Sequence, residues 1–337
     1  MKTLYIKDLE RNLLITGETF ALSEVEKAED KNGKLYYKVL LGDKTGKLSG
    51  KIWNDKINQI DLKALTVAQI VQIQAKVEEY QGKLQLNIYQ LSGVDESKLD
   101  EFLESSEYDS DEMMAELLNE VEMIKHNGIK KVLKNVFSDE EVLRKFKYAV
   151  AAKSIHHDFR SGLIQHVLEM ITISKSLKRF YPNLNYDILT AGIILHDIGK
   201  IQEMDSTGLS TNYTKAGGLV GHIVLGIMIL EQYGGKELPE DYFLHISHLI
   251  LSHHGALEMG SPVLPSTPEA LALTYLDNLS SKIRASLQEI SKIPKEKEFS
   301  NPYMFLQNAR LWKGSNNDLD LKNNTSVVKE GEQLSLD

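Results

Sequence analysis

The chain contains 337 residues, of which 42% are hydrophobic and none is cysteine, and its formal net charge is −9. A chain of this length can bury more than one hydrophobic core, so two domains are the default expectation. The absence of cysteine excludes disulfides and thiolate-bound zinc, and any metal ion must be held by nitrogen and oxygen ligands.

The sequence also lacks membrane signals. No apolar run approaches the roughly 20 residues that a bilayer span requires. The first residues, MKTLYIKDLERN, carry charges where a secretory signal has its apolar region. We therefore expect a cytoplasmic protein with no membrane partner.

Residues 1–93 carry five strand patterns, and the turn signals between them lie at 31–33, 42–46 and 81–82. The patterns are FALSEVEKAED, KLYYKVLLGD, KLSGKIWN, TVAQIVQIQAKVEEY and KLQLNIYQL. About five short strands in so short a segment fit a small closed β-barrel. The turn at 43–46, followed by Lys51-Ile52-Trp53, resembles the strand pair of an OB-fold nucleic-acid module. We therefore predict an OB-like nucleic-acid-binding barrel in residues 1–93.

Aromatic rings and lysines are interleaved on these strands. In barrels that hold a single strand without reading its sequence, exposed rings stack on bases and lysines follow the phosphates. Tyr36 and Tyr37 are neighbours in a strand and point to opposite sides, so at most one of them can belong to a binding face. We take Tyr36 and Trp53 as candidate substrate contacts. For each ring, core packing is the competing explanation.

Residues 94–135 are predicted to form an acidic helical connector. Within it, residues 96–122 hold eleven Asp or Glu and one Lys, so this segment contributes −10 and the rest of the chain sums to +1. The overall acidity therefore does not exclude a nucleic-acid partner. An apolar stripe at helical spacing runs through the connector and could serve as the interface of a homo-oligomer. Its members are Phe102, Met113, Met114, Leu117, Leu118, Val121 and Ile124.

Helical patterns continue beyond the connector, and we assign residues 136–299 to an all-α domain. The remaining residues, 300–337, are rich in Asn, Ser, Asp and Lys and are predicted to be a tail whose end lacks fixed structure. The predicted fold is thus a small β-barrel followed by an all-α helical core.

Imidazoles and carboxylates recur in the apolar segments of this helical core. His166 lies in SGLIQHVLEMITISKSL and, taken alone, is better explained as a buried histidine bonded to a carbonyl. The segment ILTAGIILHDIGK places His196 and Asp197 side by side near a helix end, before Gly199, which can terminate the helix. An ionised Asp in such a segment is costly to bury unless a cation compensates for its charge.

Three later segments also place histidine or aspartate within apolar helical sequence. His222 begins an apolar run directly after a glycine-rich turn that permits close backbone approach. His253 and His254 are adjacent at a predicted helix end, where packing rarely needs two imidazoles. Asp277 lies on the apolar face of a helix, where a hydrophobic residue is expected. Together these residues predict a metal site, and such ligand sets are typical of two-metal hydrolytic centres.

The pattern H…HD…H…HH…D, with HDIGK in full, resembles the HD-domain phosphohydrolase superfamily, and the additional histidines resemble its two-metal branch. An OB-like domain joined to this core, with SIHHDFRSGLIQHVLEM leading into the first ligand, is similar to the YhaM family of 3′-to-5′ exoribonucleases. The resemblance covers nearly the whole chain except the C-terminal tail.

The resemblance implies two divalent metal ions, with manganese favoured and iron or cobalt as alternatives. The ligands of the first ion would be His166, His196, Asp197 and Asp277. Asp197 would bridge to a second ion held by His222, His253 and His254. The resemblance further implies that a metal-activated hydroxide attacks the terminal phosphodiester of single-stranded RNA and releases nucleoside 5′-monophosphates. Single-stranded DNA is a further candidate substrate, and the 3′-to-5′ direction rests on the resemblance alone.

Two cations near the motif are candidate substrate contacts. Lys200, four residues after His196, could reach a phosphate oxygen as a point charge and assist catalysis there. A cation favoured at a helix C-terminus explains Lys200 equally well. Arg160 is a weaker candidate for a phosphate contact. The other histidines are interpreted as structural or substrate-proximal (His156 and His157) or as lying outside the site (His126, His245 and His248).

Two other functions remain open at this point. A phosphodiesterase or nucleotidase acting on cyclic or small nucleotides would use the same metals, but it would have little use for a stacking surface on the barrel. A non-catalytic nucleic-acid-binding adaptor could use metal only to fold. The ligand set without cysteine speaks against the adaptor, because structural zinc sites are usually closed tetrahedra that contain thiolates.

Overall fold

The computed structural model describes residues 2–67, 69–80, 82–94, 102, 105–106, 108–151, 159–205, 211–294 and 296–314. The chain divides into two compact units, Met1–Ser281 and Lys282–Asp337. The first unit contains a β-barrel and most of the helices. Two sequence expectations, on His156 with His157 and on the end of the C-terminal tail, lie outside the described residues.

Five strands form the closed barrel in the order β1-β2-β3-β5-β4. Their bounds are β1 Leu14–Glu29, β2 Leu35–Asp43, β3 Gly46–Ile52, β4 Gln69–Tyr80 and β5 Lys83–Gly93. β3 and β5 pair in parallel, whereas the other neighbours are antiparallel. Alternate residues point inward, and rings and branched chains such as Phe20, Leu41 and Ile73 fill the interior. The predicted OB-like barrel is confirmed.

β1 begins at Leu14, six residues before the start of the pattern at Phe20. The reason is a bulge at Gly17, whose φ is 81°, where the register with β4 shifts between Thr16 and Glu18. A bulge adds one residue to a strand and breaks the alternation of side chains. The strand pattern therefore starts only after this interruption.

Ten α-helices are present among the described residues, and most share one hydrophobic core. The helices before the metal-ligand motif are α1 Ser110–Met123, α2 Asn127–Ser138 and α3 Glu140–Tyr148. The others are α4 Gly162–Leu177, α5 Tyr186–Leu195, α6 Lys200–Glu203, α7 Lys215–Val220, α8 His222–Gly234, α9 Glu240–Ser252 and α10 Pro268–Ser291. A small hairpin, β6 Met204–Asp205 and β7 Asn212–Tyr213, follows α6. The predicted all-α core is confirmed.

The apolar stripe of the connector is split between two cores. Met113, Leu117 and Val121 of α1 are buried in the helical core, as the stripe predicts. Phe102 is buried instead against Ala21 and Ile70 of the barrel. Leu118, another member of the predicted stripe, is exposed. The described part of the connector thus packs against both neighbouring domains.

No described helix combines the length and the apolarity of a membrane span. In the second unit, short backbone bridges join Phe299 to Trp312 and Tyr303 to Ala309. Cytoplasmic location and homo-oligomer formation stay predictions.

Candidate metal centre

His166 and Asp277 come together from two helices that are distant in the sequence. His166 lies in the middle of α4 and is 1% exposed. Its Nε2 is 3.2 Å from Oδ1 of Asp277, which lies on α10. The structure therefore joins the first and last candidates of the sequence pattern.

His196 and Asp197 follow the last residue of α5, which is Leu195. The Nδ1 of His196 donates to the carbonyl oxygen of Ile193 at 2.8 Å, and its Nε2 lies 3.2 Å from Oδ2 of Asp197. Both side chains are buried. The end of an apolar helix thus carries two polar groups into the interior.

The expectation that Gly199 terminates the helix is wrong. Gly199 lies directly before α6 and has an ordinary helical φ of −62°. A Cβ at this position would lie 1.9 Å from the carbonyl oxygen of His222. Gly199 is needed because it lets the start of α8 approach the turn after α5. This approach brings Nε2 of His222 to 3.6 Å from Oδ1 of Asp197.

His222 is the first residue of α8, and Glu203 fixes its position. The Nδ1 and the backbone N–H of His222 both donate to Oε1 of Glu203, at 3.1 Å and 3.0 Å. Gly221 precedes the helix with a φ of 79°, which favours glycine. Glu203 was not among the residues selected from the sequence.

His253 and His254 follow the last residue of α9. Their Nδ1 atoms donate to backbone carbonyls, His253 to Ile250 at 2.7 Å and His254 to Met259 at 2.9 Å. The Nε2 of His253 is 3.7 Å from Oδ1 of Asp197. Both Nε2 atoms are thereby left for a ligand.

These residues form two adjacent groups of potential ligands, in each of which the ligand atoms lie within 4.8 Å of one another. One group contains His166, His196 and Asp197, and the other contains His222, His253 and His254. The ring centroids of His196 and His253, one from each group, are 5.0 Å apart. The structure therefore brings together all seven candidates of the sequence pattern.

Four buried polar atoms at the centre have no hydrogen-bond partner among the described residues. They are Oδ1 of Asp197 and the Nε2 atoms of His196, His222 and His253. Leaving a buried polar group unsatisfied costs about 1–3 kcal/mol, so four at one point need a compensating ligand. A divalent cation fits, because imidazole and carboxylate are the donors that such ions accept.

Electrostatics at the centre favour a charged Asp197 and neutral imidazoles at His253 and His254. His196 differs, because burial opposes its protonation but the carboxylate of Asp197 outweighs burial and raises its pKa. Burial opposes the ionisation of Asp197, but Lys200, His196 and His222 outweigh it and hold the pKa of this carboxyl well below its usual value. Burial, followed by the charge of His196, holds the pKa of His253 well below the ordinary value. A carboxylate and a neutral imidazole are the forms that bind metal.

Lys200 and Arg160 take positions that the sequence left open. Lys200 is the first residue of α6, a helix of one turn that begins five residues after the end of α5. Its Nζ donates to Oδ2 of Asp197 at 2.6 Å and to the carbonyl oxygen of Ala151 at 2.5 Å. The guanidinium of Arg160 lies over the ring of Tyr148, 4.0 Å from its centroid. Arg160 also lines a cavity of about 480 Å³ with Tyr108.

Three further histidines have partners elsewhere. The Nδ1 of His126 caps α2 by accepting from the backbone N–H of Ile129. The Nε2 of His245 contacts Thr267, and the Nε2 of His248 accepts from the backbone N–H of Ser266. Their contacts are those of structural side chains.

Residues 163–282 match the HD domain family. An HD domain implies divalent metal binding, in agreement with the two ligand groups. The structure shows a weak likeness to the second OB-fold domain of replication protein A from Methanococcus maripaludis. That likeness has a TM-score of 0.22 and 18% identity, covers 29% of this chain and 98% of the other, and carries no conclusion.

Relatives match over nearly the whole chain. The 3′-5′ exoribonuclease YhaM of Bacillus subtilis (strain 168) is 32% identical over 311 residues, which cover 91% of this chain and 95% of the relative. The chain belongs to the YhaM 3′-5′ exoribonuclease family. The YhaM protein of Shouchella clausii (strain KSM-K16) is 35% identical over 288 residues, covering 84% of this chain and 88% of the relative. Membership of the YhaM family and the HD domain make the chain a hydrolase.

Proposed function

We propose that this protein is a metal-dependent 3′-to-5′ exonuclease that hydrolyses single-stranded RNA to nucleoside 5′-monophosphates. The observation that carries the proposal is the convergence of unsatisfied buried ligand atoms around Asp197. Membership of the YhaM family supplies the reaction class and the direction. Single-stranded DNA is a second candidate substrate, because the proposed stacking contacts do not distinguish sugars.

We propose two divalent ions at the centre, with manganese favoured. The ligand assignment follows the two groups. His166, His196, Asp197 and Asp277 would hold one ion, and His222, His253 and His254 with Asp197 would hold the other. When bound, a pair of such ions activates water and neutralises charge on phosphoryl oxygens.

Lys200 prepares this site by its contact with Asp197. Lys200 donates to Oδ2 of Asp197 and so leaves Oδ1 directed at His222 and His253. Because its Nζ lies at the centre, Lys200 stays a candidate for contact with the substrate phosphate and for a catalytic role. Arg160 stays a candidate for a contact with the strand.

We propose that one surface of the barrel binds the RNA strand. Tyr36 and Trp53 stack with centroids 5.1 Å apart and planes inclined by 28°. Lys51 lies over both the Trp53 ring, at 5.4 Å, and the Tyr80 ring, at 5.2 Å. Tyr37, the neighbour of Tyr36, packs against the barrel core. We call Tyr36, Trp53, Lys51 and Tyr80 the aromatic patch, and we propose that bases stack on it.

Digestion of a 5′-labelled single-stranded RNA with added Mn²⁺ tests this function. We expect a ladder that shortens from the 3′ end with the native protein and its loss in Asp197→Asn, which keeps the shape of the side chain and removes its charge. The matched control is Asp241→Asn, at an exposed position in the first turn of α9, and it should cleave like the native protein. RNA left intact under every metal tried would contradict the proposal and point to cyclic or small nucleotides.

A further inference from the structure

The five histidines of the centre must present one nitrogen as a lone pair, so the proton has to sit on the other nitrogen. Three of them have this proton fixed by the backbone, because their Nδ1 atoms face carbonyl oxygens that can only accept. These are His196, His253 and His254. His222 has it fixed by a carboxylate oxygen of Glu203.

His166 differs from the other four. Its Nδ1 lies 3.0 Å from the hydroxyl oxygen of Ser280. A hydroxyl can donate or accept, so Ser280 by itself does not decide which nitrogen of His166 carries the proton. Another group must fix the direction of this hydrogen bond.

Glu169 supplies that direction. The hydroxyl of Ser280 donates to Oε2 of Glu169 at 2.9 Å. An ionised carboxylate only accepts, so the single proton of Ser280 is committed to Glu169, and the Ser280 oxygen accepts from Nδ1–H of His166. With the proton on Nδ1, the Nε2 of His166 can give its lone pair to a cation that is shared with Asp277, whose Oδ1 lies 3.2 Å away.

The second oxygen of Glu169 is held as well. The side-chain amide of Gln165 donates to Oε1 of Glu169 at 3.0 Å. The hydroxyl of Ser106, in the described part of the connector, donates to the amide oxygen of Gln165 at 2.8 Å. Each of these hydrogen bonds therefore has a fixed direction, and the carboxylate of Glu169 accepts from both Gln165 and Ser280.

We propose that Glu169 is a positioning residue for the metal centre, acting through Ser280 to keep a proton on Nδ1 of His166, so that Nε2 is the nitrogen that gives its lone pair to a metal ion. The inference rests on the proposed role of His166 as a metal ligand and does not depend on RNA as the substrate. Two variants test the inference, Glu169→Gln and Ser280→Ala.

Imidazole ¹⁵N NMR of the metal-free protein, which reports the protonation of each ring nitrogen of His166, is the first measurement. In the native protein Nδ1 should be protonated, although Asp277 can also accept from Nε2. In Glu169→Gln the new amide can donate to Ser280, so the Ser280 hydroxyl can donate to Nδ1 of His166. An amide in place of a carboxylate can thus select the wrong tautomer of the histidine. We expect the proton of His166 to move towards Nε2. Calorimetric titration with Mn²⁺ should show an affinity about 10- to 100-fold lower.

Ser280→Ala removes the link itself and should also weaken Mn²⁺ binding. Because Ser280→Ala deletes a single oxygen atom, we expect it to fold. It is the variant to measure if circular dichroism shows that Glu169→Gln is unfolded. The matched control is Glu120→Gln, because Glu120 pairs with Lys175 of α4 at 2.7 Å and lies on α1. This control should keep the native tautomer and affinity.

The proposal would be overturned if Ser280→Ala bound Mn²⁺ with native affinity and if His166 kept its native tautomer in every variant that folds. Neither readout uses RNA. A protein that leaves RNA intact but shows the shifted tautomer would contradict the proposed function and support this inference.

Discussion

At the scale of single residues, the sequence indicated the candidate ligands but not the residues that contact them. Asp197 and His253 stand out because polar groups interrupt apolar helices. Glu203, Glu169 and Ser280 do not stand out, because their partners are distant in the sequence or because, as with a serine hydroxyl, the group can either donate or accept a hydrogen bond. One signal was available: Glu169 and Ser280 each lie three residues after a predicted ligand, on the same helix face.

Gly199 is the residue whose substitution should most directly disturb the centre. In Gly199→Ala, the added Cβ would meet the backbone of His222 at 1.9 Å, and backbone cannot move aside as a side chain can. We expect the free energy of unfolding to fall by about 1–3 kcal/mol. Urea unfolding of the metal-free protein measures this loss, and Mn²⁺ titration should show weaker binding.

The matched control is Gly218→Ala. Gly218 is exposed in α7, and a Cβ there would meet nothing within 4 Å. Alanine in a helix is favoured over glycine by roughly 0.5–1 kcal/mol, so this variant should be as stable as the native protein or more so. Equal stabilities of the two alanine variants would refute the close-approach role of Gly199.

At the scale of elements, patterns of alternation and helical spacing predicted the strands and helices, and local geometry set their limits. The bulge at Gly17 hid the first residues of β1. Leu118 has helical spacing with buried neighbours and is nevertheless exposed, because the width of a buried stripe depends on what packs against it. Such limits follow from contacts that a single helix does not contain.

One contact between elements makes a prediction about pH. Asp139 caps α3, and its Oδ2 accepts from the Tyr233 hydroxyl of α8 at 2.6 Å. This bond, followed by the backbone N–H of Val142, lowers the pKa of Asp139, and the same bond raises the pKa of Tyr233 to about 12. The bond therefore requires a charged carboxylate and a protonated phenol.

The Tyr233→Phe substitution should remove this bond. The stabilisation by Asp139 is present above the ordinary carboxyl pKa of about 4 and is lost as the pH falls through the lowered value. The stabilisation by Tyr233 is present below the ordinary phenol pKa of about 10 and is lost as the pH rises towards the raised value. The native protein should thus exceed the variant in stability between about pH 5 and 9, with a smaller difference on either side.

Urea unfolding midpoints of both proteins across this range provide the measurement. Tyr275→Phe is the control, because that ring is 72% exposed. Its unfolding midpoint should match the native one from acid to neutral pH. A difference between native and Tyr233→Phe that stays constant into strong acid would show that Asp139 takes no part.

At the scale of the whole molecule, the barrel and the metal centre should make separable contributions. Trp53→Ala removes the central ring of the aromatic patch, and stacking is worth roughly 1–3 kcal/mol per base, so RNA affinity should fall about 5- to 150-fold. Fluorescence anisotropy of a labelled RNA in metal-free buffer measures binding without cleavage. Mn²⁺ affinity should stay at the native value.

The chain offers a matched control in its only other tryptophan, Trp312, which is 53% exposed in the second unit. Trp312→Ala should bind RNA and Mn²⁺ like the native protein. Equal RNA affinities of the two variants would exclude the aromatic patch as the binding surface. The presence of such a patch was predictable from the spacing of rings and lysines, whereas the Tyr36–Trp53 stack depends on the register of β2 with β3, in which Tyr37 pairs with Ile52.

The order of the ligands along the chain has a consequence for synthesis. The barrel is complete at Gly93, whereas the proposed ligands begin at His166 and end at Asp277 on the last helix of the core. Chains emerge from the ribosome N-terminus first, and domains fold as units. A nascent chain therefore has a finished barrel long before it has a full set of metal ligands. The growing polypeptide therefore cannot act as a nuclease before Asp277 has been translated, even while it remains beside messenger RNA.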